Sequence, residues 1–125
     1  MLNNLISDIS KIYIIYGATD FRKQIYSLCA LIENNFKISA YDKVAFVFCN
    51  KKRTSIKVLC YDNNGFILAQ KILLNENKMK FQWPKGQEEL NKITTEQFRW
   101  LLSGLKIYPD KCFKDINLQN KKISI

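Results

Sequence analysis

The chain has 125 residues, of which 47% are hydrophobic, and its formal net charge is +9. That length is typical of one domain and that apolar fraction is enough for a core, so disorder throughout the chain is excluded. No apolar run approaches the ~18 residues of a membrane span and no secretory pattern opens the chain, so we expect a cytoplasmic protein. The positive charge favours an acidic partner such as nucleic acid.

The first part of the chain predicts one strand and one helix. Residues 11–16 are β-branched and aromatic, as is typical of a strand. Thr19 or Asp20 is a good N-cap, so we expect the helix to begin there. Apolar residues then repeat at helical spacing and should cover one face of a sheet. They are Phe21, Ile25, Leu28, Cys29, Ile32 and Phe36.

The stretch from residue 43 to residue 83 predicts an antiparallel meander, around which the other elements are arranged. Residues 44–49 form an unbroken apolar run, which is typical of a strand covered on both faces. Gly65 closes a hairpin turn in which we expect it to take a positive φ. Residues 85–91 read as a polar connection. The four strands are predicted at residues 44–49, 55–61, 66–74 and 80–83.

A second helix is predicted to begin at Thr94. The spacing of Thr94 and Gln97 fits a capping box, and an αL cap is expected at Gly104. Its buried stripe is predicted to be Phe98, Leu101, Leu102 and Leu105. The sequence therefore predicts an α+β fold, with a meander of four to five strands packed against two helices. Residues 1–107 should form a single domain, and residues 108–125 a C-terminal tail.

Catalytic and metal sites have little support in the sequence. Histidine is absent, and none of the four cysteines forms a C-x-x-C pair. This argues against zinc, Ser-His-Asp and Cys-His sites, and no phosphate-binding P-loop is present. We therefore expect no cofactor, no metal and no catalytic residue. The one enzymatic alternative is a metal nuclease that uses Asp20 and Asp62.

The positive charge is concentrated in the predicted meander. Residues 43–85 hold nine basic and two acidic residues, a balance of +7, whereas residues 1–42 balance to zero. Three adjacent cations, at residues 51–53, stand at a hairpin tip. A sheet with a basic rim can follow a phosphate backbone, although lysines in turns are also ordinary solvated positions.

Six short motifs follow one another in order between residues 11 and 107, and as an ordered set they are distinctive. Together they resemble the TnpB (Orf2-like) accessory proteins of bacterial transposable elements of the insertion-sequence-sixty-six type. The resemblance implies a role in transposition beside a separate transposase, without a catalytic site. The motifs are Thr19-Asp20-Phe21-Arg22-Lys23, residues 46–53, Ile56-Lys57-Val58-Leu59, residues 61–66, Phe81-Gln82-Trp83-Pro84 and residues 98–105.

Our first functional hypothesis is binding of nucleic acid, with the element's DNA ends as the partner. Lys51, Lys52 and Arg53 are predicted to contact phosphates. The supporting residues are Arg22, Lys23 and Lys57, and a phosphate at the start of the first helix would gain from free amide groups beside Arg22. About four neutralised phosphates would give a salt slope of roughly −3.6.

The second hypothesis is a protein–protein adaptor that docks the transposase and does not itself bind DNA. It would use Trp83, Trp100 and the second helix. Trp83 precedes Pro84 and is expected to be partly exposed, whereas Trp100 lies beside the apolar stripe and is expected to be buried.

Overall fold

The computed structural model describes residues 9, 11–41, 43–74 and 78–107. It has a five-stranded mixed sheet and two helices, which confirms the predicted α+β fold. The tail predicted at residues 108–125 lies outside the described residues. The elements are β1 (Lys11–Ile15), α1 (Ile25–Phe36), β2 (Val44–Cys49), β3 (Ser55–Asp62), β4 (Gly65–Ile72), β5 (Leu90–Ile93) and α2 (Thr95–Leu102).

The strand order across the sheet is β4-β3-β2-β1-β5. β2, β3 and β4 are joined by hairpins and form the predicted antiparallel meander. β1 instead runs parallel to β2, and β5 runs antiparallel to β1. Parallel neighbours need a long crossover, and α1 supplies it. Two strands that run the same way therefore stand side by side at the middle of the sheet.

Both faces of the sheet are covered, as the apolar run of β2 predicted. All six residues of β2 are buried. On one face Phe46 and Phe48 pack with Leu28 and Ile32 of α1. The other face packs against α2 and the segment 81–83. Each large side chain is a major support, since removing a buried Phe commonly costs about 3–5 kcal/mol of unfolding free energy.

The fourth meander strand predicted at residues 80–83 is wrong. These residues form an irregular segment, in which the side chains of Phe81 and Trp83 are buried in the core with 0% and 4% of their surfaces exposed. The alternation of apolar and polar residues that suggested a strand here instead directs alternate side chains of this segment into the core on one face of the sheet. The fifth strand is β5, within and just after the region predicted as a connection. Only Ile93 of its four residues is buried, so its sequence signal is weak.

The first helix begins later than predicted, at Ile25 with Gln24 as N-cap. Thr19 does not cap it, because it lies five residues before Gln24, and its amide instead donates to the carbonyl of Cys49 at 2.8 Å. The carboxylate of Asp20 instead accepts the amide of Arg22 at 2.9 Å. Residues 19–23 therefore form a separate turn, in which local side-chain bonds compete with the helix.

The second helix agrees with its prediction at the start. Thr94 and Gln97 form the expected capping box, and Gly104 takes a φ of +86°. Leu105 was wrongly assigned to the buried stripe and is 56% exposed, because the helix ends before it. In the β3–β4 hairpin the positive φ belongs to Asn63, at +61°, and not to Gly65, which pairs with Asp62.

Cys29, Cys49 and Cys60 are buried free thiols. Burial raises the pKa of Cys49 to about 12, so this thiol stays protonated at neutral pH and is a poor nucleophile. These three residues act as small apolar core groups.

Candidate nucleic-acid interface

Three segments meet at the end of the sheet where β1 and β2 finish. Because these two strands are parallel, the loops that follow them emerge on the same side. The amide of Thr19 in the first loop donates to Cys49 at 2.8 Å, which ties it to the end of β2. The chain entering β5 arrives here too, since Gly17 donates to Pro84 at 3.0 Å and Tyr16 to Glu89 at 2.8 Å.

The first of these segments is linked to the third through a close backbone contact. Gly17 has a φ of +78°, and a Cβ placed there would lie 2.8 Å from the carbonyl oxygen of Gly86. Only glycine combines this conformation with this approach. The contact therefore fixes the spacing between the loop after β1 and the segment before β5.

The basic turn between β2 and β3 is held in shape by the side chain of Asn50. Its Oδ1 accepts the amides of Thr54 at 2.9 Å and Ser55 at 3.1 Å, and its Nδ2 donates to the hydroxyl of Thr54 at 3.1 Å. Arg53 adopts a left-handed conformation with φ +59°, and its carbonyl accepts the amide of Phe81 at 2.7 Å. The three cations are thus carried on a fixed backbone.

Two adjoining hollows of about 230 and 370 Å³ lie between this turn and the other segments. They share Arg53, Trp83, Pro84 and Lys85, and together we name them the basic groove. Its cations come from three separate parts of the chain. None of the described residues that line it is acidic. The full lining is Gly17, Ala18, Asn50, Lys51, Arg53, Gln82, Trp83, Pro84, Lys85, Gly86, Lys106 and Ile107.

Trp83 forms part of the floor of the basic groove and is not the exposed docking residue that its position before Pro84 suggested. It is 4% exposed, and its indole Nε1 donates to the carbonyl of Ile15 at 2.9 Å. Trp100, expected to be buried, is half-buried on α2. The two tryptophans therefore have different roles, and Trp83 offers little surface to a partner.

Lys57, which was predicted to support the phosphate contacts, is only 3% exposed. Its ammonium donates to the carbonyls of Phe21 at 3.0 Å and Lys23 at 2.8 Å, and stands 4.9 Å from the centre of the Phe21 ring. Burial lowers the pKa of Lys57. This ammonium is occupied within the fold, so Lys57 anchors the turn at residues 19–23 and is removed from the candidate interface.

Arg22 and Lys23 lie in that anchored turn and not in the first turn of a helix, so the helix start on which the predicted phosphate site depended is not at these residues. The guanidinium of Arg22 meets the carboxylate of Asp20 at 2.8 Å and is 91% exposed. Hydrogen bonds from Arg22 lower the pKa of Asp20 to about 2. Arg22 therefore carries a partly neutralised charge beside the end of the sheet.

The carboxylates of the nuclease alternative do not meet. Asp20 is bound by Arg22 beside the start of β3, whereas Asp62 closes the hairpin at the opposite end of that strand. Within the described ranges no group of three His, Cys, Asp or Glu side chains is placed to hold a metal ion.

Lys85 and Lys106 are the groove residues that sequence reasoning missed. Both are exposed on the groove wall. Lys85 stood in an apparent polar connection, and Lys106 stood just beyond a helix. Nothing local distinguishes them from solvated lysines, and only the packing of the segment 81–86 against the turn brings them near Arg53.

These features define a class: small basic α+β proteins in which one end of a mixed sheet carries a cationic groove. No helix in the described part is long and apolar enough to cross a membrane. The chain belongs to the IS66 Orf2-like protein family, whose pattern matches residues 10–111. This confirms the resemblance seen in the motifs, and the family is one of accessory proteins of transposition.

A relative from Sinorhizobium fredii, described as "Uncharacterized protein y4hO", is 30% identical over 95 residues, covering 76% of this chain and 80% of the relative. No solved structure matches the chain.

Proposed function

We propose that this chain is a non-catalytic accessory of transposition that binds the DNA of its element through phosphate contacts in the basic groove. The observation that carries the proposal is the gathering of Lys51, Arg53, Lys85 and Lys106 around one groove whose described lining has no acidic residue. Cations brought together from separate segments repel one another unless an anion lies between them, and a phosphate backbone supplies regularly spaced anions.

The groove is better suited to holding the protein on a phosphate backbone than to recognising a base sequence. Its cations are long side chains on a fixed turn and a fixed segment, and phosphate contacts carry little sequence information. Lys52 is exposed in the turn and extends the positive surface, and the exposed Arg22 and half-buried Lys23 add positive charge from the turn at residues 19–23. We therefore expect affinity that depends strongly on salt and weakly on sequence.

The test is DNA binding across a salt series, with the element's terminal DNA compared with unrelated DNA. Four groove cations, each on one phosphate, give a slope of log affinity against log salt of roughly −3.6. Lys51→Gln with Arg53→Gln should reduce the slope to roughly −1.8, and Lys85→Gln with Lys106→Gln should do the same. Equal effects from two pairs on different segments would identify the groove as a unit.

The matched control removes the same charge elsewhere. Lys92→Gln with Arg99→Gln deletes one lysine and one arginine, both exposed and neither lining the groove. This variant should keep the wild-type slope. Equal weakening by the control and the groove variants would mean that overall charge, and not the groove, governs binding, and absence of DNA binding would leave the adaptor as the better function.

The adaptor is the second candidate, and one observation favours it. Trp100 is half-exposed on α2, and Leu105, whose amide donates to the carbonyl of Trp100 at 2.8 Å, is 56% exposed beside it. Aromatic and aliphatic side chains of this kind anchor protein interfaces. Capture of the transposase at high salt that is lost on Trp100→Ala, by a chain that binds no DNA, would support it.

A further inference from the structure

β4 lies at one edge of the sheet. The sheet ends at β4, and within the described residues no strand pairs with its outer edge. The strand has eight residues, Gly65–Ile72, and its neighbour β3 is paired along the whole length. A long edge strand made mostly of apolar residues is a template for pairing with another strand.

The groups facing outward can be assigned from the pairing with β3. The amide of Leu73 donates to Thr54 at 2.8 Å, and the register continues from there through all of β4. In an antiparallel ladder hydrogen-bonding alternates along the strand, so odd-numbered residues of β4 bond inward. The N–H and C=O groups of the even-numbered residues therefore face the open edge. These residues are Phe66, Leu68, Gln70 and Ile72.

The usual devices that protect an edge are missing from β4. The strand contains no proline, and its single charge is Lys71. The ammonium of Lys71 is turned away, since it donates to the carbonyl of Leu102 at 2.9 Å and lies 6.0 Å from the centre of the Phe81 ring. Ile72, at the end of the strand, is 66% exposed. The edge is thus uncharged in a chain of net charge +9.

We propose that β4 pairs antiparallel with β4 of a second copy of this chain, forming one continuous ten-stranded sheet across a two-fold axis. Two copies of a strongly basic chain repel one another, and a contact along a surface that carries no free charge adds least to that repulsion. The β4 edge is such a surface. A two-fold contact also requires a self-complementary strand.

The register centred on Ala69 meets that requirement. It places each Ile72 opposite the partner's Phe66. Cross-strand pairs of a β-branched and an aromatic side chain stabilise sheets. It also places Leu68 opposite the partner's Gln70, so all the outward N–H and C=O groups are bonded. Each Lys71 then lies opposite the partner's Ile67 and far from the partner's Lys71. Ala69 lies opposite the partner's Ala69 at a non-hydrogen-bonded position, where the two Cα atoms are about 4.5 Å apart.

The pairing does not depend on DNA binding, but it would set the spacing of two grooves. With about 4.8 Å between neighbouring strands and about 3.4 Å per residue along a strand, the position of each turn at residues 50–54 can be estimated. Each turn lies about 10 Å from the two-fold axis across the strands and about 15 Å from it along the strands. The two basic turns are then about 35 Å apart. This is close to one helical turn of DNA.

The first experiment measures the mass of the full-length, nucleic-acid-free protein by sedimentation over a wide concentration range. We expect a dimer. Gln70→Pro removes an outward N–H, and the two-fold symmetry means that two intermolecular hydrogen bonds are lost. The dimer dissociation constant should therefore rise at least about tenfold. Gln70→Ala is the matched control, because it equally removes the bond from Gln70 to the Ser55 hydroxyl but keeps the N–H. It should leave the dimer intact.

Two further measurements protect the test against misfolding of the proline variant. Ile72→Lys puts a charge on an exposed side chain and should also dissociate the dimer, whereas Leu105→Lys on another surface should not. Ala69→Cys, in a chain carrying Cys112→Ser, should form an intermolecular disulfide across the axis. A wild-type monomer at every concentration would overturn the proposal, and so would a dimer that survives both Gln70→Pro and Ile72→Lys.

Discussion

Asn50→Ala tests whether the basic turn depends on one side chain. The substitution removes three hydrogen bonds, two from the amides of Thr54 and Ser55 and one to the Thr54 hydroxyl. Ser55 is only 4% exposed, so its amide would lose its partner in a place where water is scarce. At about 1 kcal/mol for each bond, the free energy of unfolding should fall by about 3 kcal/mol.

Urea unfolding followed by circular dichroism measures this loss. Asn91→Ala is the control, because the Asn91 amide makes one exposed bond, to Glu89 at 2.8 Å, and its removal should cost less than about 0.5 kcal/mol. In DNA binding, Asn50→Ala should weaken affinity with little change in salt slope, because the cations remain but their backbone is no longer fixed. A loss of stability below about 1 kcal/mol would refute the assignment of Asn50 as the support of the turn.

Two other predictions concern buried and paired charges. Lys57→Met should lower the free energy of unfolding by about 2–3 kcal/mol, because the ammonium of this 3% exposed residue donates hydrogen bonds to two backbone carbonyls. Urea unfolding measures the loss, and a change near zero would show that water readily takes the place of the ammonium. The pKa of Asp20, lowered to about 2 by the hydrogen bonds from Arg22, is below that of an unfolded carboxyl, so its contribution to stability is present above about pH 4 and disappears as the pH falls through 2. Wild type should therefore lose stability more steeply than Asp20→Asn between pH 4 and pH 2, and an NMR titration that places this pKa near 4 would contradict the pairing.

Patterns that depend on one element were predictable from the sequence. The buried run of β2, the capping box at Thr94 and the αL cap at Gly104 are each set by neighbouring residues, and the structure agrees with all three. Family membership was also readable, because the order of the motifs carries it.

Features that depend on what covers an element were not predictable. Alternation placed Lys57 on the face of β3 opposite Val58, but it could not show that α1 and the turn before it cover that face too. Lys85 and Lys106 are separated along the chain from the turn they join, so no local pattern links them with Arg53. The positive surface was predicted from the charge count, whereas the groove required the fold.

The pairing of β1 with β5 also determines when the groove can exist during folding. The meander β2–β4 forms through hairpins between near neighbours, whereas β1 meets β5 through residues such as Ile15 and Leu90, about 75 positions apart. Contacts of such long range close slowly, after local hairpins. The contact of Gly17 with Gly86 belongs to that late closure. A ribosome-bound chain that has emerged only through β4 has the cationic turn but no groove, so the proposed binding surface is complete only when nearly all of the family-matching region has been synthesised.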